Sequence, residues 1–259
     1  MKNINIHKTS TIGKNVVIDC KDFVLGKNSV IKDNCTIKCT SFKAEEGLYM
    51  CEGVEVGRGG CYGPNSRVNI GKNVGIGADV MIWTHGAWLD VTQGFPSDFG
   101  PVKIGNNVWL PARSVVLPNV TIGDDTVVGI GSIINRDLPS GCLAAGSPCK
   151  VIKENCYPKE LNNEELQKKI LEITNNWCKL HKDKNITNVS VNCSVDGIIT
   201  LKETIETTIY HTHYDVIKKE MIGCVTDASE DLRDYLRRRG IKIYTNKPFT
   251  SIKSKWLEK

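Results

Sequence analysis

The chain has 259 residues, 40% of them hydrophobic and 24% charged, with a formal net charge of +5. That composition excludes a disordered or fibrous chain and leaves room for one large domain or two modest ones. A surplus of five positive charges without a concentrated basic face predicts no nucleic-acid binding, and suits instead a small phosphorylated ligand.

Residues 1–10 alternate Asn, Ile and Lys and contain no apolar run of signal-peptide length. No later stretch approaches the ~18 apolar residues of a membrane helix, so a cytoplasmic protein with no membrane insertion is expected. Eleven cysteines without CxxC pairs or zinc spacing then read as free thiols acting as small hydrophobes.

An aliphatic residue recurs every six positions from Ile12, through Ile18, and again through Leu25, Ile31 and Ile37. A break from Phe42 to Arg67, carrying Gly57, Gly59, Gly60 and Gly63, leaves the period. It resumes at Ile70, Ile76 and Ile82, and runs longest at Ile104, Leu110, Val116, Ile122, Val128 and Ile134. A small or β-branched residue stands four positions after each aliphatic, as in Val108, Ser114, Val120, Thr126 and Ser132. Six fits neither the helical period nor the alternation of a simple strand. It suits a triangular solenoid in which each unit is one short strand and a corner, so a parallel β-helix is predicted.

Residues 83–101 interrupt the repeat with Trp83, Trp88, His85, two Phe and the carboxylates Asp90 and Asp98. Long aperiodic loops in compact domains usually serve function. His85 is the natural general base there, with a corner histidine satisfied by backbone as the alternative. Trp83, Trp88, Asp90 and Asp98 are candidates for contacting an acceptor. Asp90 and Asp98 read equally as turn residues or as partners that orient the imidazole.

Glycine marks the end of the solenoid: 20 of 23 glycines and seven of nine prolines precede residue 154. The expected organisation is a β-helix over 1–153 with the excursion 83–101, and a small α+β domain over 158–259. In the second part, Leu166, Ile170, Ile173, Trp177 and Leu180 predict a helix from Pro158 to about Lys182. Strands follow at 186–195 and 198–210 around the Asp196-Gly197 turn, then a strand at 222–225, a helix at 229–239 and a strand at 241–244. His7 and His181 read as surface residues. His211 and His213 share a strand face but lack a third ligand nearby, so no metal is expected.

The repeats, the Trp83-Thr-His-Gly excursion, and the runs from Ile104-Gly-Asn-Asn-Val-Trp-Leu to Ala145-Gly-Ser-Pro-Cys-Lys-Val-Ile-Lys153 resemble the left-handed β-helix (hexapeptide-repeat) acyltransferases. The resemblance is nearest the galactoside, maltose and xenobiotic O-acetyltransferases. It implies a mainly β fold, a left-handed parallel β-helix with a C-terminal α+β extension, assembled as a homotrimer with acetyl-CoA between subunits. It also implies that His85 is catalytic and that Trp109, Ala112, Ile130, Asn135, Arg136, Lys150 and Lys153 contact the coenzyme. The expected reaction is direct acetyl transfer to a sugar or glycan hydroxyl. N-acetylation of an amino sugar and a non-catalytic scaffold are the alternatives. A carbonic anhydrase on the same prism would need more histidines than His7 and His85. Departures are Ala112 and Asn135, where relatives often carry a hydroxyl, and Gly59, near which those enzymes place a sugar-contacting asparagine.

Overall fold

A computed structural model describes residues 3–57, 63, 65–184 and 186–253. The chain divides into two compact units, 1–159 and 160–259.

The first unit is a coil of short parallel strands that stack on three faces. Face one runs through Thr11–Ile12, Val30–Ile31, Tyr49–Met50, Gly75–Ile76, Trp109–Leu110, Val127–Val128 and Leu143–Ala145. Face two continues from Glu55–Val56 to Met81–Ile82, Val115–Val116 and Ile133–Ile134. Face three continues from Arg67–Ile70 to Val102–Ile104 and Thr121–Ile122, and ends in a bridge between Ile122 and Leu138. The six-residue aliphatics and their small companions all point inward, making one continuous buried core. Inward hydroxyls are satisfied by corner carbonyls: Ser114 Oγ donates to Pro111 O at 2.8 Å and Ser132 Oγ to Gly129 O at 2.6 Å.

Corners explain the Asn and Asp content. Asn107, Asn119 and Asp125 take left-handed φ of 55–65°, a conformation those side chains tolerate. Asn107 Nδ2 donates to Asp125 Oδ1 at 2.9 Å, so the corners also ladder from coil to coil. Gly105 is needed for a different reason, since a Cβ there would overlap the Asp124 carboxylate and its backbone nitrogen.

The break expected from Phe42 to Arg67 is shorter than the sequence suggests. Ala44, Leu48, Met50, Val54 and Val56 are all buried in the coil, and its next strand begins at Arg67. Two features hid this. Ala44 and Met50 stand where Ile, Leu or Val was sought. In addition, Val17–Leu25 and Thr36–Ala44 are nine-residue strands that cross the corner between faces two and three unbroken, which inserts one residue into the period. These strands pair along their length, with Phe23 and Phe42 stacked at 5.4 Å. Gly59 and Gly60 lie outside the described residues.

The second unit packs helix α1 (Asn163–Leu180) and helix α2 (Asp227–Arg237) with a four-stranded antiparallel sheet. Both helices start with a capping box, from Asn162 and from Thr226. Several expected boundaries move. Helix α1 begins after Pro158, at Asn163, and Leu180 is exposed while Ile170 and Trp177 carry the buried stripe. The expected first strand shortens to Val189–Cys193. The expected strand 198–210 is two, Ile198–Ile205 and Thr208–Asp215, joined at Glu206 with φ of 54°. No Gly, Pro or Asn announces that turn.

The final strand moves to Glu220–Gly223, and residues 241–244 form no strand. Ile243 is instead buried, with its carbonyl accepting from Arg233 Nη1 at 3.2 Å. Asp231 on α2 is buried and accepts from Lys184 Nζ at 2.7 Å, Trp177 Nε1 at 2.9 Å and Ile252 N at 2.8 Å. His181 is not a surface residue but stacks on buried Trp177 at 5.6 Å. No helix among the described residues is long and apolar enough to cross a membrane.

Candidate active site

The period breaks twice at the corner between faces two and three, after Val56 and after Ile82, in successive turns. The second is held at a narrow neck. Trp83 N donates to Val116 O at 2.8 Å, and Gly100 N donates to Thr84 O at 3.0 Å, closing the loop on itself. Thr84 is buried, with Oγ1 2.8 Å from Ser66 Oγ. Gly100 packs on Asn119, whose Oδ1 a Cβ would overlap. Sequence reading missed the Ser66–Thr84 bond and the Asn119 contact, because each joins residues in different coils.

Beyond the neck, His85–Ala87 pairs antiparallel with Ser97–Phe99, so the excursion is partly a hairpin rather than an aperiodic loop. His85 opposes Phe99, and its ring stacks 6.1 Å from that ring and lies 6.2 Å from Trp83. The imidazole is half-buried, and its Nδ1 is buried with no hydrogen-bond partner among the described residues. An unmade bond of this kind costs about 1–3 kcal/mol; His181 Nδ1 is buried without a partner in the same way against Trp177, so it is the position at the loop neck that sets His85 apart.

The other loop candidates are placed differently. Trp88 is 95% exposed. Asp90 caps the short helix Val91–Gln93, accepting from Thr92 N at 2.9 Å and Thr92 Oγ1 at 2.7 Å. Those two bonds, the hydroxyl first, hold its carboxyl below the usual carboxylate range. Asp98 sits in the hairpin opposite Gly86.

The residues expected at a coenzyme lie on two edges of face two. Asn135 and Arg136 share the corner of His85, with Arg136 Nε 3.5 Å from Asn135 Oδ1. Ala112 and Ile130 occupy turns on the opposite edge, and Trp109 lies on face one beside them. Trp109 is 56% exposed and Ile130 75%. Lys150 and Lys153 bracket an exposed strand antiparallel to Leu143–Ala145. A single coil therefore brings His85 and Arg136 to one edge, and Trp109, Ala112 and Ile130 to another.

The strand histidines of the second unit are placed otherwise. His211 and His213 stack at 6.4 Å, and His213 Nδ1 lies 3.0 Å from Thr200 Oγ1. No group of three or more His, Cys, Asp or Glu that could hold a metal occurs among the described residues. The ten described cysteines are free thiols. Burial pushes Cys35, Cys142 and Cys149 up, and Cys39 is raised first by its contact with Cys20, which disfavours the thiolate nucleophile.

Residues 101–136 match the family described as bacterial transferase hexapeptide (six repeats). Over that stretch the six-residue repeat of the coil matches the family's own. The mainly β fold, a coil of parallel strands, is the class that the resemblance implied. The chain is 42% identical to the galactoside O-acetyltransferase of Escherichia coli (strain K12) over 89 residues, 34% of this chain and 44% of that enzyme. It thus spans less than half the length of that relative. Among solved structures, it is similar to a maltose O-acetyltransferase from Clostridium difficile 630 (26% identity, 58% of this chain and 68% of that one, TM-score 0.35). It is also similar to the perosamine N-acetyltransferase of Caulobacter crescentus in complex with CoA and GDP-perosamine (22% identity, 59% and 58%, TM-score 0.37).

Proposed function

We propose that the hexapeptide coil transfers an acetyl group from acetyl-CoA directly to a hydroxyl of a sugar or glycan, with His85 as general base. The observation that carries this reading is the imidazole at the loop neck, wedged between Trp83 and Phe99 with Nδ1 buried and unbonded. The identity to a galactoside O-acetyltransferase supports the same class of chemistry.

His85 takes the proton of the acceptor hydroxyl as its oxygen attacks the thioester carbonyl. The C–S bond then breaks, and the imidazolium returns the proton to the CoA thiolate. General-base assistance of this type contributes roughly 10²–10⁴-fold, and positioning of the two substrates contributes much of the remainder.

The coil's surface fits the coenzyme. Exposed Trp109 and Ile130 offer apolar area to a pantetheine arm or an adenine, and exposed Arg136, Lys150 and Lys153 make no ion pair among the described residues. Cations of this kind suit phosphates. Their division between two edges favours a homotrimer, in which the His85 edge of one coil meets the Trp109 edge of the next. Trp83 and exposed Trp88 supply faces on which a sugar ring can stack.

The test is release of free thiol from acetyl-CoA with a panel of sugars offering hydroxyl or amino acceptors, followed by mass analysis of the product. Acetyl ester formation supports the proposal. Amide formation would reassign the reaction to N-acetylation, and absence of transfer to every acceptor would reject it.

A further inference from the structure

A cavity of about 630 Å³ opens on the same corner as His85, in the turns of the coil that precede it. Among the described lining residues the cations are Lys21, Lys43 and Arg67, and the one carboxylate is Asp22. Thr40, Ser41 and Asn69 complete the wall with neutral hydrogen-bonding groups.

Three properties separate this groove from ordinary solvated lysines. First, the register aligns the groups: Asp22, Ser41 and Arg67 stand side by side across three coils, and Lys43, Asn69 and Lys103 form the adjacent row. The pairing is in-register and parallel, so neighbouring side chains stand about 4.8 Å apart. Second, the side chains of Lys21, Lys43 and Arg67, and of Lys103 next to the lining, make no hydrogen bond or ion pair among the described residues, and the described lining itself sets three positive charges against one negative. In register Asn69 stands between Lys43 and Lys103, so an anion seated over Asn69 lies about one strand spacing from each of these two cations.

Third, the groove is physically joined to the loop neck. Arg67 follows Ser66, whose hydroxyl bonds Thr84, the residue before His85. Thr40 N also donates to Ser66 O at 2.8 Å. Lys103 lies on the strand entered directly from the excursion, in the same turn of the coil as His85.

Resting on the acetyl-transfer reading above, we infer that this groove binds the acceptor and that the acceptor is an anionic sugar, one whose ring carries a phosphate or a carboxylate. The anion sits among Arg67, Lys43 and Lys103, and the hydroxyl to be acetylated extends one to two coils toward His85. At ~4.8 Å per coil this is the reach of a single sugar residue. The preference would distinguish this chain from an enzyme of neutral galactosides or maltose.

The experiment titrates the full-length protein, with CoA present, with glucose, glucose 1-phosphate, glucuronic acid and inorganic phosphate, and repeats the titrations with Lys43→Gln/Arg67→Gln. Both variant positions are exposed, so the fold is retained, which melting checks. The expected result is that at least one anionic sugar binds about tenfold more tightly than glucose and that the double variant removes this advantage, with CoA affinity unchanged. Comparing the phosphate and carboxylate sugars shows which anion is taken. Equal affinity for glucose and both anionic sugars would overturn the inference, as would inorganic phosphate binding as tightly as the sugar phosphate. A change in oligomer size in the double variant would also overturn it, because the cations would then belong to a subunit contact. Anionic-sugar binding that persists while no acetyl transfer occurs would reject the acetyltransferase reading and leave the anion groove standing.

Discussion

The hydroxyls of Ser66 and Thr84 lie 2.8 Å apart in the interior, tying together the two turns from which the chain leaves the coil. Since Thr84 immediately precedes His85 and its carbonyl accepts from Gly100, this bond fixes the base of the loop that carries the imidazole. Thr84→Val keeps the shape, removes the bond and leaves the Ser66 hydroxyl buried without it, a loss of about 1–3 kcal/mol. The expected outcome is a lower melting temperature together with a drop in kcat that exceeds any rise in KM. Thr84→Ser restores both. Equal kinetics for Val and Ser would show that the bond plays no part in positioning His85.

Arg113 is the exception among the coil corners. It adopts φ of 60° where neighbouring corners use Asn or Asp, and its one ion pair among the described residues, with Asp79 at 3.9 Å, is between exposed side chains. A left-handed backbone costs a residue of this type about 1–2 kcal/mol, and an exposed pair returns little of that. Arg113→Gly should therefore stabilise the coil by about 0.5–1 kcal/mol after the added freedom of the unfolded chain is counted. Chemical denaturation of the variant reads this directly, and a destabilised variant would contradict it.

The second unit is held by a buried charge. Asp231 accepts from Lys184, Trp177 and the Ile252 amide. Asp231→Ala removes all three bonds and strands the Lys184 ammonium, for an expected loss of about 3–5 kcal/mol. Amide hydrogen exchange should show loss of protection over 160–259, with the coil unaffected.

Lys242 provides a pH signature. Burial, reinforced by Arg237, pushes its ammonium down to about 8, against ~10.4 in an unfolded chain. Below pH 8 the residue is charged in both states, and the full burial cost is present. Between about 8 and ~10.4 the folded form sheds its proton first, so this cost fades and stability gains with rising pH. Lys242→Met should raise the melting temperature at pH 7, and by less at pH 10. A gain that grows with pH would contradict the assignment.

The coil was legible wherever its grammar was unbroken. Ile104 to Ile134 carry the aliphatic at every sixth place, and each is buried on its expected face. The period failed at Ala44 and Met50, where other residue types fill the same inward position, and at the two long strands, where one extra residue shifts the count. His85 stood out because it lay at an interruption. Its surroundings did not, since Ser66, Asn119, Lys43 and Arg67 come to the corner only through stacking of coils that are 18 or more residues apart. In the second unit, the Glu206 turn and the irregular path of Ile241 to Ile243 were fixed by tertiary contacts that no local pattern signals.

The most direct test of the central claim compares wild type with His85→Ala in acetyl-CoA turnover, using the best acceptor from the sugar panel. The two proteins should share melting behaviour and CoA affinity, and kcat should fall roughly 10²–10⁴-fold in the variant. A kcat within about threefold of wild type would show that His85 is not the base.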